Sequence, residues 1–235
     1  MKTLRAALII PTLLLSAAAF AEDPGKGSVR DVPDFDGVEV SNGLNAKVTV
    51  GPKSVRITGD EKQVSQVRTE VVNGKLVVQM EKKGWFGSSS SRGIQVTISS
   101  PKVTSLEASG GADIDAEASA TENFTVEASG GSDISVRNLD AKKLKVDVSG
   151  GGEVTAKGRA ELADMEASGG AEIHAQDLSL KVLKVDASGG CAVEANPTDS
   201  ISADISGGSS IHVDSSPAQR EVSSSGGARV VFSKK

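Results

Sequence analysis

The two histidines of this 235-residue sequence, His174 and His212, could share a metal ion with the glutamate between them. Glu194 follows His174 by 20 residues and precedes His212 by 18, which is the spacing of a repeat that runs through the chain. Two imidazoles and a carboxylate form a ligand set that zinc accepts. Equivalent residues two repeats apart would lie about 9.6 Å apart on stacked strands, so both imidazoles would have to lean toward Glu194. We therefore predict a solvated column here, with no metal ion and no cofactor.

Acidic residues recur at two other fixed positions of the repeat. One column consists of Glu107, Glu127, Asp147, Glu166, Asp186 and Asp204, and the other consists of Asp113, Asp133, Glu153 and Glu172. Such ladders could bind calcium, because hard cations prefer carboxylate oxygens. In water, however, carboxylates about 5 Å apart repel each other by only about 1 kcal/mol, and salt weakens this further. The sequence favours solvated acidic faces that need no ion.

A serine begins each of seven Ser-Gly-Gly tripeptides, at Ser109, Ser129, Ser149, Ser168, Ser188, Ser206 and Ser225. A nucleophilic serine needs a base within reach, and no histidine lies near these tripeptides in the sequence. We expect the hydroxyls to form a structural ladder, each bonded to the backbone or to the next serine, and we predict no catalytic residue. The single cysteine, Cys191, occupies a position that small residues hold in the other repeats, which indicates a space-filling thiol.

The only irregular aromatic segment is Trp85-Phe86, which lies in a run of glycine and serine between Lys83 and Arg92. One interpretation is an exposed loop whose two rings contact a sugar or a protein partner. The alternative is that the rings fold back and cover an open end of the fold. Trp85 and Phe86 are the only ligand-binding residues that the sequence predicts.

The elements that position these residues follow from the spacing of the tripeptides, which is 20, 20, 19, 20, 18 and 19 residues. A period near twenty is typical of a solenoid, in which each repeat is one stacked turn. Apolar and polar residues alternate on both sides of each tripeptide, which predicts a strand, a corner and a second strand. The glycine pair is expected to supply positive φ at the corner. The predicted fold is an all-β, single-domain parallel β-helix, right-handed, with coils of about 20 residues.

The first 34 residues are expected to stand outside this fold. Residues 1–21 have a positive start, an apolar stretch and a small-x-small end, which indicate a secretory signal peptide that is cleaved after Ala21. Residues 22–34 would form a linker. No later segment is apolar enough to span a membrane, so the mature protein is predicted to be periplasmic or secreted.

The rest of the chain divides into two parts of one continuous domain. Residues 35–103 are expected to form irregular β coils that cover the first edge of the solenoid, and residues 104–235 form the repeat solenoid. Within the first part, Asn73-Gly74 predicts a tight hairpin turn, and residues 60–66 could form one short helical turn.

Composition excludes several function classes. The net charge of −5 argues against nucleic acid and anionic lipid as partners. A single cysteine permits no intrachain disulfide. Aromatic residues make up 3% of the sequence and tyrosine is absent, so no large stacking platform is expected.

Several short motifs together resemble the head GIN domain family of putative autotransporter adhesins. Three of them are Gly37-Val38-Glu39-Val40, Val55-Arg56-Ile57-Thr58-Gly59-Asp60-Glu61 and Asn73-Gly74-Lys75-Leu76-Val77-Val78. The fourth is the repeated Ser-Gly-Gly, which in most copies is followed by one variable residue, an acidic residue and Ile or Val. The resemblance covers roughly Phe35 to the C-terminus. It implies an exported β-helical domain with an adhesive or polysaccharide-binding role, and it supplies no catalytic residues.

We therefore predict an exported, non-enzymatic binding protein whose partner is a polysaccharide or another component of the cell envelope. One alternative is a periplasmic structural or protein-interaction module with an envelope protein as its partner. The other is a carbohydrate-active enzyme, because β-helices can host lyases and hydrolases. A lyase would need clustered acidic metal ligands and a basic residue beside a long groove, whereas a solenoid with short loops builds no deep pocket. The sequence does not indicate an oligomeric state.

Overall fold

The computed structural model describes residues 27–81, 91 and 93–233. These residues form a β-solenoid of about six turns with coils of roughly 20 residues, which confirms the predicted fold class. The expected signal peptide and the aromatic pair Trp85-Phe86 lie outside the described residues. Within the described part of the chain, no helix is long and apolar enough to cross a membrane.

Seventeen strands and one short helix are present among the described residues. The strands are β1 (Ser28–Val29), β2 (Gly37–Ser41), β3 (Asn45–Val50), β4 (Ser54–Thr58), β5 (Val67–Val72), β6 (Lys75–Met80), β7 (Gln95–Ser100), β8 (Ser105–Ser109), β9 (Asp113–Glu117), β10 (Thr121–Gly130), β11 (Asp133–Gly150), β12 (Glu153–Gly169), β13 (Glu172–Gly189), β14 (Ala192–Ile205), β15 (Ser210–Val213), β16 (Gln219–Ser224) and β17 (Arg229–Phe232). The helix α1 (Glu61–Val64) lies between β4 and β5.

From β8 onward, residues stack on their equivalents in the next coil, except at a few register shifts such as the one after Val136. Val126, for example, pairs with Leu106 in the preceding coil and with Val146 in the following one. All three side chains are buried, with an exposed fraction of at most 1%. The period-two pattern therefore predicts the interior correctly. Alanines recur in the same interior, so the space between the faces is narrow.

The N-terminal part does not stack in chain order. Strand β2 lies between β6 and β8, and β3 lies between β7 and β9. Strands β2 and β3 therefore form the second coil, and the later strands β6 and β7 form the first. Beyond β7, the antiparallel strands β4 and β1 continue the sheet, while β5 runs antiparallel to β6. These antiparallel strands cover the edges of the first coil.

Two local predictions in this part are confirmed. Asn73 and Gly74 adopt φ of 52° and 79° and connect β5 to β6, which is the geometry of a tight hairpin. The helical turn begins after Asp60, whose side chain accepts a hydrogen bond from the Lys62 backbone N–H and caps α1.

At the other end, the last coil is much less covered. Among the described strands, β16 pairs only with β14, and all six of its residues are exposed. Val222 stands in register with buried Ala203 but is itself 42% exposed, because no further coil packs against it. The seventh repeat thus keeps the register that the sequence predicts, but its apolar residues are not buried as those of the earlier repeats are.

The corners need positive φ at fewer glycines than expected. The first glycine of each corner has positive φ, for example 74° at Gly150 and 100° at Gly189. Among the second glycines, only Gly111 does. Five of the other six instead donate their backbone N–H to the preceding corner, as Gly190 does to the Gly169 carbonyl at 2.6 Å.

Candidate functional site

A groove of about 740 Å³ runs along the face that precedes the corners, which we call the acidic groove. Its carboxylates are those of Glu107, Glu127, Asp147, Glu166, Asp186 and Asp204, and its hydroxyls are those of Ser129, Ser149, Ser168, Ser188 and Ser206. The parallel register aligns each carboxylate with the next, so the polar groups repeat at the strand spacing of about 4.8 Å. The groove therefore offers one row of acceptors beside one row of hydroxyls.

The serine hydroxyls of the acidic groove do not form the structural ladder that we predicted. Within the described residues, none of the five has a hydrogen-bond partner in the protein. In three coils the residue three positions further along bonds to the corner backbone instead; buried Ser132, for example, lies 3.0 and 2.9 Å from the carbonyl oxygens of Ala108 and Ser129. Buried Cys191 replaces it in a later coil, 3.2 Å from the Ser188 carbonyl. The corner hydroxyls are therefore available to a ligand.

Lysines neutralise only part of the acidic groove. Lys145 and Lys184 pair with Asp147 and Asp186 at 2.8 and 2.9 Å. In the described part of the chain, three further carboxylates of the groove have no ion-pair partner, namely those of Glu127, Glu166 and Asp204. The groove therefore keeps a net negative charge.

At the N-terminal end of this carboxylate column, Lys75 lies between two glutamates. Its ammonium donates to Glu107 and lies 4.0 Å from Glu39. The hydrogen bond to Glu107 raises the pKa of Lys75. Burial, and then the charge of Glu107, raise the pKa of Glu39 despite the lysine. The Glu39 carboxylate is thus harder to ionise than a free glutamate.

A second groove, of about 880 Å³, lies along the opposite ends of the strands. Its charges are paired between neighbouring coils: Arg159 binds Asp140 through two hydrogen bonds of 2.7 and 2.6 Å, and Lys142 lies 2.7 Å from Glu122. Because these partners satisfy each other, this paired-charge groove offers fewer free groups than the acidic groove.

The face that follows the corners carries a cluster around His174. Its Nδ1 lies 3.0 Å from Glu194, and its Nε2 lies 3.6 Å from both Glu153 and Glu172. Burial lowers the pKa of His174, but the hydrogen bond that it donates to Glu194 and the charges of the three glutamates outweigh burial and raise the pKa overall. We call these four residues the His174 cluster.

His212 does not join the His174 cluster, so the two histidines considered as a metal-binding pair in the sequence do not converge on one point. The register does place His174, Glu194 and His212 in one column. The imidazole of His212 turns away, however, and its Nε2 lies 3.0 Å from Asp214 and 3.1 Å from Ser233.

Glu153 and Glu172 are partners of His174 that were not predicted from the sequence. Glu172 precedes His174 by two residues on one strand, which places both side chains on the same face. Glu153 pairs with Glu172 from the preceding coil. Reading two adjacent columns together would have revealed the cluster.

The segment that carries Trp85 and Phe86 connects β6 to β7. Both residues lie outside the part of the chain that the structure describes, so their prediction as ligand contacts stays a prediction.

Residues 34–217 match the family model described as putative auto-transporter adhesin, head GIN domain. A search of curated proteins finds no match to the sequence.

Solved structures of several bacterial proteins have the same fold. A putative adhesin from Bacteroides fragilis NCTC 9343 is 22% identical, with a TM-score of 0.77 over 87% of this chain and 93% of that one. A putative lipid binding protein from Parabacteroides distasonis ATCC 8503 is 18% identical, with a TM-score of 0.67 over 89% and 98%. A putative adhesin from Parabacteroides merdae ATCC 43184 is 19% identical, with a TM-score of 0.62 over 89% and 97%. At these identities the likeness concerns the fold.

Proposed function

Because this chain belongs to the family of putative auto-transporter adhesins with a head GIN domain, we propose that it is an exported, non-enzymatic binding protein of the cell envelope. We propose further that its ligand is a polysaccharide that lies along the acidic groove. The names of the family and of the similar structures are those of adhesins and binding proteins, not enzymes, which agrees with this assignment.

The observation that carries the proposal is a row of serine hydroxyls without protein partners beside a row of carboxylates of which only part is neutralised by lysines. Carboxylates accept charge-assisted hydrogen bonds from sugar hydroxyls, and serine hydroxyls can both donate and accept. The rows repeat at about 4.8 Å over five to six coils, so an extended polymer could repeat the same contact along the groove. Many weak contacts along one chain add up to useful affinity.

The charge of the groove narrows the ligand class. Its uncompensated carboxylates would repel the acidic groups of an anionic polymer. A neutral or amine-bearing polysaccharide avoids that repulsion. We therefore propose a ligand rich in hydroxyl or amino groups and poor in uronic acid or phosphate.

The experiment compares glycan-array binding of the mature protein with that of two triple variants. The groove variant carries Glu127→Gln, Asp147→Asn and Glu166→Gln. The control carries Glu122→Gln, Asp140→Asn and Glu161→Gln, which removes the same number of carboxylates from the same coils on the paired-charge groove. We expect neutral or amine-bearing glycans to bind, the groove variant to lose that signal, and the control to keep it.

Two results would contradict the proposal. One is a preference for anionic glycans, and the other is equal binding by the groove variant and the wild type. Binding to vesicles of neutral phospholipid, without binding to any glycan, would instead support the function that the name of the P. distasonis protein suggests.

A second candidate, a protein-interaction module, is favoured by the exposed last coil. All six residues of β16 are exposed, and the free edge of such a strand can pair with an extended segment of a partner protein. Sedimentation with isolated cell envelopes separates the two candidates. Periodate, which cleaves sugar diols, abolishes binding if the ligand is a glycan, whereas protease treatment abolishes it if the partner is a protein.

A further inference from the structure

We propose that Glu153, Glu172 and His174 bind one divalent transition-metal ion of the zinc type. The site lies on the face that follows the corners, so it is separate from the acidic groove and independent of the proposed polysaccharide binding. One ligand atom from each of the three residues lies within 4.8 Å of the other two. The site differs from the histidine pair considered from the sequence, because His212 takes no part in it.

The distances suit such an ion. The Nε2 atom of His174 lies 3.6 Å from an oxygen of Glu153 and 3.6 Å from an oxygen of Glu172. Two ligand atoms bound to zinc at about 2.1 Å in tetrahedral geometry lie about 3.4 Å apart. Only small side-chain movements are therefore needed to close the site around a metal.

Glu194 fixes the imidazole in the orientation that binding requires. Its carboxylate lies 3.0 Å from Nδ1 of His174, so a proton on Nδ1 is held there and the lone pair of Nε2 faces Glu153 and Glu172. A carboxylate behind the imidazole is the usual outer partner of a metal-binding histidine. Glu194 is a positioning residue in this arrangement, not a ligand.

The charges around the site call for a cation. In the part of the chain that the structure describes, the only ion-pair partner of Glu153, Glu172 and Glu194 is His174. Three carboxylates thus converge on one imidazole. A set of one nitrogen and two oxygens suits zinc or a neighbouring transition metal, whereas calcium and magnesium prefer oxygens alone.

Exposure of the ligands makes the site accessible from solution. The side chains of Glu153 and Glu172 are 48% and 55% exposed, and that of His174 is 26% exposed. An ion can therefore enter without unfolding a coil. Three protein ligands leave a fourth position for water.

The test is calorimetric titration of the chelator-treated mature protein with ZnCl₂ near pH 7.5. We expect one zinc per chain. His174→Thr introduces the residue type that the preceding coil has at this position, Thr155, so the fold should tolerate it, and we expect it to remove binding. Glu194→Gln should weaken binding about 10- to 100-fold. His212→Ala is the matched control, with affinity unchanged within about twofold. Circular dichroism checks that each variant is folded.

Several outcomes would overturn the site. These are the absence of zinc binding by the wild type, wild-type affinity in folded His174→Thr, and equal losses in His212→Ala and His174→Thr. Retained affinity in the double variant Glu153→Gln, Glu172→Gln would show that the metal has other ligands. Displacement of zinc by an equal concentration of calcium would show that the carboxylates bind the ion without the histidine.

Discussion

Gly158 lies so close to Leu139 of the preceding coil that a Cβ atom on Gly158 would stand 2.2 Å from the Leu139 carbonyl oxygen. The two residues pair just after a register shift. Between Val136 and Leu139, strand β11 has two residues, whereas β12 has only one between Ala156 and Gly158. The coil is thus one residue shorter at this point. Gly158 spans the gap with φ of 137°, which few other residues adopt.

We predict that Gly158→Ala lowers the free energy of unfolding by about 3 kcal/mol or more, because it combines backbone strain with a steric clash. Gly131→Ala is the control, since φ at Gly131 is not positive and a Cβ there would meet no atom within 4 Å. It should change stability by less than about 1 kcal/mol. Urea denaturation measures both variants, and similar stabilities would contradict the role assigned to Gly158.

The two glycines of one corner should respond differently to alanine. A Cβ on Gly189 would stand 2.6 Å from the Gly169 carbonyl oxygen, and its φ is 100°. A Cβ on Gly190 would stand 3.7 Å from the same oxygen, an ordinary contact. We predict a loss of about 2 to 4 kcal/mol for Gly189→Ala and a change below about 1 kcal/mol for Gly190→Ala. Melting temperatures that fall equally would show that both glycines are required.

Period-two alternation predicted the interior because burial depends on which face of a strand a residue occupies. The alternation alone was enough to predict that Leu106 and Ile114 are buried. The stacking order of the first coils could not be predicted in this way. Strands β2 and β6 have similar alternation of apolar residues, so their sequences do not specify which of the two strands pairs with β8. The acidic groove was predicted as a column, but the absence of protein partners for its serine hydroxyls was not, because alternation specifies the face that a side chain occupies and not its hydrogen bonds.

Removing the charge of Glu39 should stabilise the protein near neutral pH. Burial, followed by the charge of Glu107, raises the folded-state pKa of Glu39 above its unfolded value. The folded protein therefore binds this proton more tightly, and the stability that it contributes is present below the unfolded pKa and lost as pH rises through the folded pKa.

We predict that Glu39→Gln gains a few tenths of a kcal/mol, and at most about 1 kcal/mol, at pH 7, because the partly exposed site is screened by solvent. The gain should disappear near pH 4. Denaturation at both pH values measures it. Glu122→Gln, on the paired-charge groove, should show no such gain at pH 7, because it removes the partner of Lys142. A gain for Glu39→Gln that persisted at pH 4 would show that its charge is not the cause.

Trp85 and Phe86 remain predicted ligand contacts. An aromatic contact would add the apolar surface that a row of carboxylates and hydroxyls lacks, and buried aromatics often contribute about 2 kcal/mol or more to binding. We predict that the double variant Trp85→Ala, Phe86→Ala weakens glycan binding about 30-fold and keeps the wild-type melting temperature.

A lower melting temperature would instead identify the rings as a cover for the end of the solenoid. Unchanged affinity and stability together would assign binding to the groove alone.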